Sequence, residues 1–456
     1  MKPPSWIPAA FVFALTLVAT PALATVCAVD DAPAATLLVP YFEVDLDDCG
    51  DEWGSLDTVF SVANATAQPV LAGVTLWSDW GVPLFGFQIY LPGLAARRVG
   101  LGDFLCDNEL PQTGSAVSPH SPATGAPVAF PGCNDTTAPG AAPYYAIPAV
   151  SAAVLAHLRE ALTGQLSSLH AAFYGQDWGD NVARGYVTVD AITRCHLLFP
   201  SSPGYFSEDG VASDDNVLVG DWAIVYPANN SAHVGPAVAL EASSLDFGSG
   251  DVTFYGRYTA YSGKDAREPL PTTFASPFAV AAPFDTTDQL IWRERVAIEA
   301  SLTPTWPAGL PLDEQNVTWF DSDSIPYPSE LERALPSEAA IDLVDYPVVT
   351  HAYTEAEVPY PVADGWQYSN LQNVQGAVAA GQAWFETRSR TYGRWDASRP
   401  AVALDSSCVD AEGKPKTVTV TATGGLAADP PTTMIFWADF EDGFDGWDAI
   451  VGSGTP

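Results

Sequence analysis

The sequence predicts a mainly β protein made of antiparallel β-sandwich domains, of an Ig-like or jelly-roll-like kind. Three observations predict this class. Apolar and polar residues alternate along several short segments, as expected for strands with one buried face. The 456 residues include 36 Gly and 39 Pro, which favour frequent turns over long helices. Hydrophobic residues make up 47% of the chain, which is enough to bury a core.

Strand signals run along most of the chain. The apolar residues Phe85, Phe87, Ile89 and Leu91 alternate with smaller or more polar ones, which is the period of a strand. Further segments are predicted strands on the same grounds: Thr58–Asn64, Val70–Trp77, Tyr186–Ile192, Val217–Val225, Val252–Tyr258, Trp384–Tyr392 and Lys416–Ala422.

One notable helix is predicted near residues 149–163. Pro148 stands where a helix can begin, and Gly164 stands where it can end. Between them, apolar residues recur at every fourth position: Val150, Val154, Leu158 and Leu162. This spacing places the four side chains on one face of the helix.

Residues 1–24 have the pattern of a secretory signal peptide. Lys2 supplies a positive charge, and Ala22–Ala24 supplies small residues for cleavage. The apolar stretch Trp6–Ala19 is shorter than the roughly 20 residues that span a bilayer. We therefore expect a secreted protein, extracellular or periplasmic, with no membrane span in the mature chain.

The mature chain is predicted to have four regions. Residues 25–106 form an N-terminal β-sandwich portion, and residues 149–410 form a second, larger β-rich domain. Between them, residues 107–148 are rich in Pro, Ser, Thr and Gly, which is typical of a long loop or a linker. Residues 411–456 follow as a C-terminal appendage.

An even number of cysteines in an exported chain favours disulfides, because the compartment is oxidising. The six are Cys27, Cys49, Cys106, Cys133, Cys195 and Cys408. Many pairings are open to six cysteines. Cys106 and Cys133 bracket the Pro-rich loop, so they are the first predicted pair, and Cys27 with Cys49 is the second.

The charge balance excludes two classes of partner. Acidic residues outnumber basic ones by 55 to 18, which gives a net charge of −37. Nucleic acids and anionic membrane surfaces are bound through a surplus of Lys and Arg on some face. We therefore expect neither, and a glycan or an envelope protein is the kind of partner that the composition allows.

An acidic run in the N-terminal region is the best candidate for a metal site. Several closely spaced carboxylates are what Ca²⁺ prefers. The candidate ligands are Glu43, Asp45, Asp47, Asp48 and Asp51. The run is not an EF-hand, because Cys49 occupies a ligand position and Leu56 replaces the closing Glu. An ordinary polar turn is the alternative, and no other cofactor is predicted.

No catalytic residue is assigned. The sequence has no GxSxG, SxxK or HExxH motif that would mark a nucleophile or a metalloprotease site. The six histidines have no motif around them, so structural or surface roles are favoured. A glycosidase needs only two carboxylates across a bond, but spacing cannot select a pair among 55 acidic residues.

Tryptophans are the candidate ligand-binding residues. Exposed indole rings beside carboxylates can stack on the apolar faces of sugars. Trp77 and Trp80 flank Ser78 and Asp79 at a predicted strand end, so partial exposure is expected there. Burial in the core is the alternative for tryptophans on alternating strands. The wider set of candidates also includes Trp178, Trp366, Trp384 and Trp395.

Several strings resemble a recurrent type of exported, β-rich bacterial protein of uncharacterised function. They are LLVPYFEVDL (37–46), TVFSVANATAQPVLAGVTLWSDWGVPLFGFQIYL (58–91), RGYVTVDAITRCHLLFPSSPGYF (184–206) and REPLPTTF (267–274). The resemblance implies no activity, ligand or catalytic residue. The string FWADFEDGFDGW (436–447) is similar both to an acidic-aromatic tail of exported bacterial proteins and to the opening of lectin-like jelly-roll domains.

These observations favour an exported, non-catalytic β-sandwich protein with a binding or structural role at or outside the cell surface, stabilised by calcium if the acidic run binds it. The alternative is a secreted hydrolase that acts on glycans through an unidentified pair of carboxylates. A third hypothesis is a partner-binding subunit of an envelope assembly.

Overall fold

The computed structural model has two compact units, residues 1–419 and 420–456, and it describes about three fifths of the residues of the first. The described residues are 32–49, 55–111, 150–194, 196, 198–207, 209–242, 253–260, 264–271, 273–279, 286–293, 302, 313–314, 316–328, 333–334, 341–346, 364–370, 382–390 and 396–404. All of them belong to the first unit.

The described residues form short strands and two α-helices. The strands of the first half are β1 Thr36–Asp45, β2 Asp57–Asn64, β3 Val70–Ser78, β4 Pro83–Leu91, β5 Ala96–Gly100, β6 Val182–Ile192, β7 Leu218–Tyr226, β8 Ser231–Pro236 and β9 Val238–Leu240. The helices are α1 Leu101–Asp107 and α2 Ala152–Leu162, and Pro227–Asn229 forms one turn of 3₁₀ helix.

The strands of the second half are β10 Thr273–Ala279, β11 Thr286–Arg293, β12 Asp313–Glu314, β13 Asn316–Phe320, β14 Pro326–Pro328, β15 Arg333–Ala334, β16 Ile341–Tyr346, β17 Asp364–Asn370, β18 Ala383–Arg390, β19 Asp396–Pro400 and β20 Val402–Ala403.

Two sheets form the first sandwich. One has the strand order β4-β3-β6-β1-β9 and the other has the order β5-β2-β7-β8, and all their neighbouring strands are antiparallel. β1 packs against β2 and β7 of the opposite sheet. The strands of the second half form two further large antiparallel sheets, β14-β13-β17-β10-β20 and β16-β11-β18-β19, and the short strands β12 and β15 pair with each other. The predicted fold class, mainly β with antiparallel sandwich architecture, is confirmed.

Alternation in the sequence places the core. Along β2, the side chains of Thr58, Phe60, Val62 and Asn64 are buried, and those between them are partly exposed. This is the pattern of a strand with one face against the opposite sheet. β1, which lies between β6 and β9, is buried along nearly its whole length. One hydrophobic cluster therefore fills the space between the sheets.

The predicted helix is confirmed as α2. The Ser151 hydroxyl accepts a hydrogen bond from the backbone N–H of Val154 (3.4 Å) and so caps the first turn. Leu158 and Leu162 are buried, and Gly164 follows the helix with a φ of +73°, which favours glycine. The short helix α1 was not predicted, because its seven residues are too few to display a helical period.

Strands from the two predicted regions, residues 25–106 and residues 149–410, pair with each other in the same sheets. β6 lies between β3 and β1, and β7 lies beside β2, so segments from both regions share both sheets. Strand pairing between distant segments, which the sequence does not display, is the reason. Of the predicted loop 107–148, only residues 107–111 are described.

One predicted strand is wrong, and another lies outside the described residues. From Thr253 to Tyr258 the chain turns, with N–H to C=O bonds from Gly256 to Thr253 and from Tyr258 to Tyr255 (both 2.9 Å). The apolar residues there are buried as a compact turn against the core, so their burial does not signify a strand. The predicted strand Lys416–Ala422 is among the residues that are not described.

Both predicted disulfide pairings are wrong, because Cys49 is bonded to Cys106. The two Cα atoms are 5.3 Å apart, a separation that a disulfide normally spans. The bond ties the loop after β1 to α1, whose residues are close in space although 57 positions apart in the chain. Cys27 and Cys133, the other members of the predicted pairs, lie outside the described residues.

Within the part of the chain that the structure describes, neither helix has the length and apolar character needed to cross a bilayer.

Candidate functional site

Trp77 and Trp80 are both fully buried, so neither ring can stack on a ligand and their predicted role is wrong. The indole N–H of Trp77 donates to the Thr188 hydroxyl (2.8 Å), and its ring stacks on Tyr186 with the ring centres 5.5 Å apart. The strand end that was expected to be open is covered, because Tyr186 on the neighbouring strand β6 lies directly opposite Trp77.

Among the wider set of tryptophans, Trp178 is the exposed one, with 46% of its surface accessible. Trp384 is buried and Trp366 is half-buried, and Trp395 lies outside the described residues. Trp178 belongs to a turn between α2 and β6 that carries three carboxylate or amide residues, Asp177, Asp180 and Asn181. Of the candidate tryptophans that the structure describes, Trp178 is therefore the one whose side chain is most accessible to a ligand.

The turn that carries Trp178 is fixed by its own hydrogen bonds. The Asp177 carboxylate accepts from the N–H of Gly179 (2.8 Å), and the Asp180 carboxylate accepts from the N–H of Val182 (3.2 Å). Gly179 has a φ of +75°, a conformation in which a side chain would be strained. The turn therefore holds its shape without a ligand.

Arg184 lies against the ring of Trp178, with Cζ 5.8 Å from the ring centre. Its guanidinium donates two hydrogen bonds to the Asp180 carboxylate, at 2.9 and 2.6 Å. These hydrogen bonds, which are stronger than the effect of partial burial, lower the pKa of Asp180. We call Trp178, Asp180 and Arg184 the indole platform, because the paired charges support one exposed ring.

The candidate calcium ligands do not converge. Asp45 accepts a hydrogen bond from the N–H of Asp47 (2.9 Å), and Asp47 in turn accepts from the Asn181 side chain (2.6 Å). Glu43 is directed into the protein, and Asp51 lies outside the described residues. Among the residues that are described, no group of three or more His, Cys, Asp or Glu side chains could hold a metal ion. Calcium binding stays a prediction.

Glu43 is a buried charge with two cationic partners. Its carboxylate lies 3.5 Å from Nε of Arg184 and 3.7 Å from a terminal nitrogen of Arg388, and it accepts from the Tyr41 hydroxyl (2.5 Å). Burial acts to raise the pKa of Glu43, but the two guanidinium groups and this hydrogen bond outweigh it and lower the pKa. The ionised Glu43 therefore links β1 to Arg184 on β6 and to Arg388 on β18.

Asp190 is a second buried carboxylate; it is fully buried and lies two residues before the end of β6. It accepts from the hydroxyls of Thr36 (2.5 Å), Tyr205 (2.7 Å) and Tyr255 (3.1 Å). Burial raises its pKa, although Arg267 and these hydrogen bonds act in the opposite direction. The sequence offered one signal for this site, a single Asp inside the otherwise apolar strand VTVDAI.

Arg267 connects the Asp190 site to the surface. It is fully buried, and its Nε donates to the Thr36 hydroxyl (3.0 Å) that itself donates to Asp190. Its terminal nitrogens donate to the Asp214 carboxylate (2.7 Å) and to the carbonyl of Ser213 (2.6 Å). A chain of polar groups thus runs from the buried carboxylate to the exposed Asp214.

A cleft of about 150 Å³ lies on the outer face of β3 and β4. Gly73 lies opposite Gln88, and Thr75 lies opposite Gly86. Because the two glycines have no side chain, the surface of the sheet is recessed at these positions. Residues of the loop after β6 form the wall. We call this the β3–β4 cleft, and its main residues are Gly73, Thr75, Gly86, Gln88, His196, Phe199 and Tyr205.

His196 is an ionisable group of the cleft beside the buried Tyr205, and its ring is neutral at pH 7. Burial of the ring, with a smaller effect of Arg194, lowers its pKa to about 4. Its Nδ1 accepts from the N–H of Leu198 (3.1 Å), so the proton of the neutral ring lies on Nε2. Nε2 is buried and has no hydrogen-bond partner among the described residues.

Ser167 and His170 of the loop after α2 meet His157 in the middle of the helix, an arrangement that the sequence did not indicate. Nδ1 of His157 and the hydroxyl of Ser167 are 2.7 Å apart, and the rings of His157 and His170 have centres 4.7 Å apart. Ser167 is fully buried, so its hydroxyl cannot reach a substrate as a nucleophile would. Its contacts instead hold the loop after the helix.

Comparison of the chain with protein families, with curated proteins and with solved structures gives no match.

Proposed function

We propose that this is an exported, non-catalytic β-sandwich protein that binds neutral glycans at or outside the cell surface, with the indole platform as the contact. The observation that carries the proposal is that Trp178 is 46% exposed on a turn whose polar groups are already fixed. An ordered ring loses little conformational entropy on binding, which favours affinity.

The chemistry of the platform suits a sugar. An indole ring offers a flat apolar face to the C–H groups of a pyranose, and its N–H can donate to a hydroxyl. Asp177 and Asp180 are exposed beside the ring and have acceptor sites left over for sugar hydroxyls. The platform thus combines stacking and hydrogen bonding within one short turn.

Charge favours a neutral ligand over a basic peptide at this position. The guanidinium of Arg184 already lies over the Trp178 ring, so a second cation at the ring would meet a like charge. Asp180, one of the two carboxylates beside the ring, is paired with that guanidinium. This pairing makes Asp180 less able to attract a second cation, whereas an uncharged sugar does not depend on that charge.

The test is binding to a panel of neutral polysaccharides, measured by affinity electrophoresis and by calorimetry. We expect at least one member to bind, and Trp178→Ala to weaken binding roughly tenfold or more, as loss of an aromatic anchor does. Trp178→Phe should retain part of the affinity. Leu169→Ala is the matched control, because Leu169 is equally exposed (47%) on the same segment and should have no effect.

The other hypotheses give different outcomes in the same assay. Release of sugar products that stops when one carboxylate is replaced would support the secreted hydrolase and overturn the proposal. Binding to a basic peptide but to no polysaccharide would also overturn it. Co-purification with an envelope protein, without glycan binding, would favour the envelope subunit instead.

Export and calcium have their own tests. Residues 1–24 should be absent from the protein recovered outside the cytoplasm, which N-terminal sequencing measures. A calcium site in the acidic run should raise the melting midpoint in calcium over that in chelator. Equal midpoints would remove calcium from the proposal and leave glycan binding untouched.

A further inference from the structure

The β3–β4 cleft is separate from the indole platform and has a chemistry of its own. It lies on the face of β3 and β4, whereas Trp178 belongs to the turn before β6. Its wall includes three rings, those of His196, Phe199 and Tyr205, and its floor includes two glycines. A ligand at this site would be unaffected by the state of Trp178.

The size of the cleft selects a small ligand. Its volume of about 150 Å³ is close to that of apolar cavities that bind a single benzene-sized ring. Sites for larger molecules are typically at least about twice as large. The cleft therefore fits one ring and its substituent, and it is too small for an oligosaccharide.

The floor depends on the absence of side chains. A Cβ at Gly73 would meet Ile192 at 3.2 Å and would lie 3.7 Å from Nε2 of His196. A Cβ at Gly86 would lie 3.4 Å from the ring of Phe199. The bare backbone at these two positions leaves a flat floor beneath aromatic walls, which is a suitable shape for a planar group.

The polar group that borders this floor is a donor. The proton of His196 lies on Nε2, because Nδ1 is occupied by the N–H of Leu198. Nε2 has no partner among the described residues, and a buried N–H without a partner destabilises a structure. A ligand that brings an acceptor beside Gly73 would recover that lost interaction after a small adjustment of the side chain.

We propose that the β3–β4 cleft binds a small, neutral aromatic molecule that carries a carbonyl group, such as an aryl amide or ketone. The ring lies among Phe199, Tyr205 and the glycine floor, and the carbonyl oxygen accepts from Nε2 of His196. The net charge of −37 disfavours an anionic ligand, so we expect the corresponding carboxylates to bind more weakly. The neutral His196 ring offers no positive charge to offset that repulsion.

Four probes test this assignment with the full-length protein. They are benzamide, toluene, cyclohexanecarboxamide and benzoate, titrated in ligand-observed NMR. Benzamide has both the ring and the acceptor, and each of the others lacks one feature or adds a charge. We expect benzamide to bind roughly 3- to 10-fold more tightly than toluene, the factor of one neutral hydrogen bond. We expect cyclohexanecarboxamide and benzoate to bind more weakly still.

Two variants locate the site, and one serves as the control. Gly86→Ala fills part of the floor at an ordinary contact distance from Phe199, so the fold should tolerate it and all ring binding should weaken. His196→Phe should bring the affinity for benzamide down to that for toluene and leave toluene unchanged. Val234→Ala, at a side chain 63% exposed on β8 of the other sheet, should change neither.

Tightest binding by benzoate, or no binding by benzamide and toluene, would overturn the assignment. Benzamide binding that Gly86→Ala leaves unchanged would overturn it as well, because the ligand would then lie elsewhere. Neither result bears on the glycan proposal, whose readout is the loss of polysaccharide binding in Trp178→Ala.

Discussion

Glu43 and Asp190 are both buried carboxylates in the first sandwich, and their surroundings shift their pKa values in opposite directions. Glu43 has two guanidinium groups within 4 Å, and its pKa is lowered. Asp190 is surrounded by three hydroxyls, and its pKa is raised. Arg267 reaches Asp190 only through the hydroxyl of Thr36.

The comparison separates charge from hydrogen bonding. The hydroxyls donate hydrogen bonds to the oxygens of Asp190, but these bonds do not offset the free energy that burying a negative charge costs. For Glu43, the positive charges of the neighbouring guanidinium groups do offset that free energy. Two carboxylates with similar burial therefore have pKa values shifted in opposite directions.

The largest effect is expected from Glu43→Gln. The substitution keeps the shape of the side chain but leaves the guanidinium groups of Arg184 and Arg388 facing an uncharged amide in a buried site. Breaking a buried ion pair on one side costs about 3 kcal/mol or more. The free energy of unfolding in urea at pH 7 should fall by that amount.

Asp177→Asn, a carboxylate-to-amide change at an exposed position of the Trp178 turn, is the matched control and should cost little. A loss below about 1 kcal/mol for Glu43→Gln would mean that the guanidinium groups do not stabilise Glu43 as an ion.

A smaller effect is expected in the pH dependence of Asp265, which lies beside the Asp190 site. Burial raises its pKa to about 6, and its carboxylate accepts from the N–H of Tyr255 (2.6 Å). A raised pKa means that the folded protein binds the proton more tightly than the unfolded chain. The stability it contributes is complete below the unfolded pKa and is lost as the pH rises through about 6.

Asp265→Asn removes that loss. The variant should therefore gain roughly 2 kcal/mol over the native protein between pH 4.5 and pH 7.5, in two series of urea unfolding curves. Glu43 has the opposite sign, because its lowered pKa contributes stability that is lost as the pH falls. A constant difference between the native protein and Asp265→Asn across this range would contradict the assignment.

The sequence predicted those parts of the fold that depend on local pattern. Thr58–Asn64 and Val70–Trp77 coincide with β2 and β3 to within a residue, because alternation reports which face of a strand is buried. The spacing of Val154 and Leu158 likewise predicted α2. At Thr253–Tyr258 the same pattern wrongly predicted a strand, because apolar residues in a turn can also be buried.

Contacts between distant segments could not be predicted from local patterns in the sequence. The bond between Cys49 and Cys106 depends on where β1 ends relative to α1, and spacing along the chain does not reveal this. The pairing of Glu43 with Arg388 crosses from β1 to β18. Trp77 and Trp178 also look alike in the sequence, and burial by the neighbouring strand is what separates them.

The smallest effect is expected from Asp190→Asn. The native carboxyl has a raised pKa, so replacing it by an uncharged amide removes less electrostatic stabilisation than the same change at Glu43. The amide keeps one acceptor oxygen, but its NH₂ group faces a hydroxyl that must turn to accept from it. We expect a loss of about 1 kcal/mol, near the value of one neutral hydrogen bond.

Urea unfolding at pH 5 and pH 7.5 measures this loss of stability, and the loss should be no larger at the lower pH, where the native carboxyl is more protonated. A loss equal to that of Glu43→Gln would show that Asp190 is held as an ion, and that Arg267 acts on it across Thr36 as strongly as a guanidinium in direct contact.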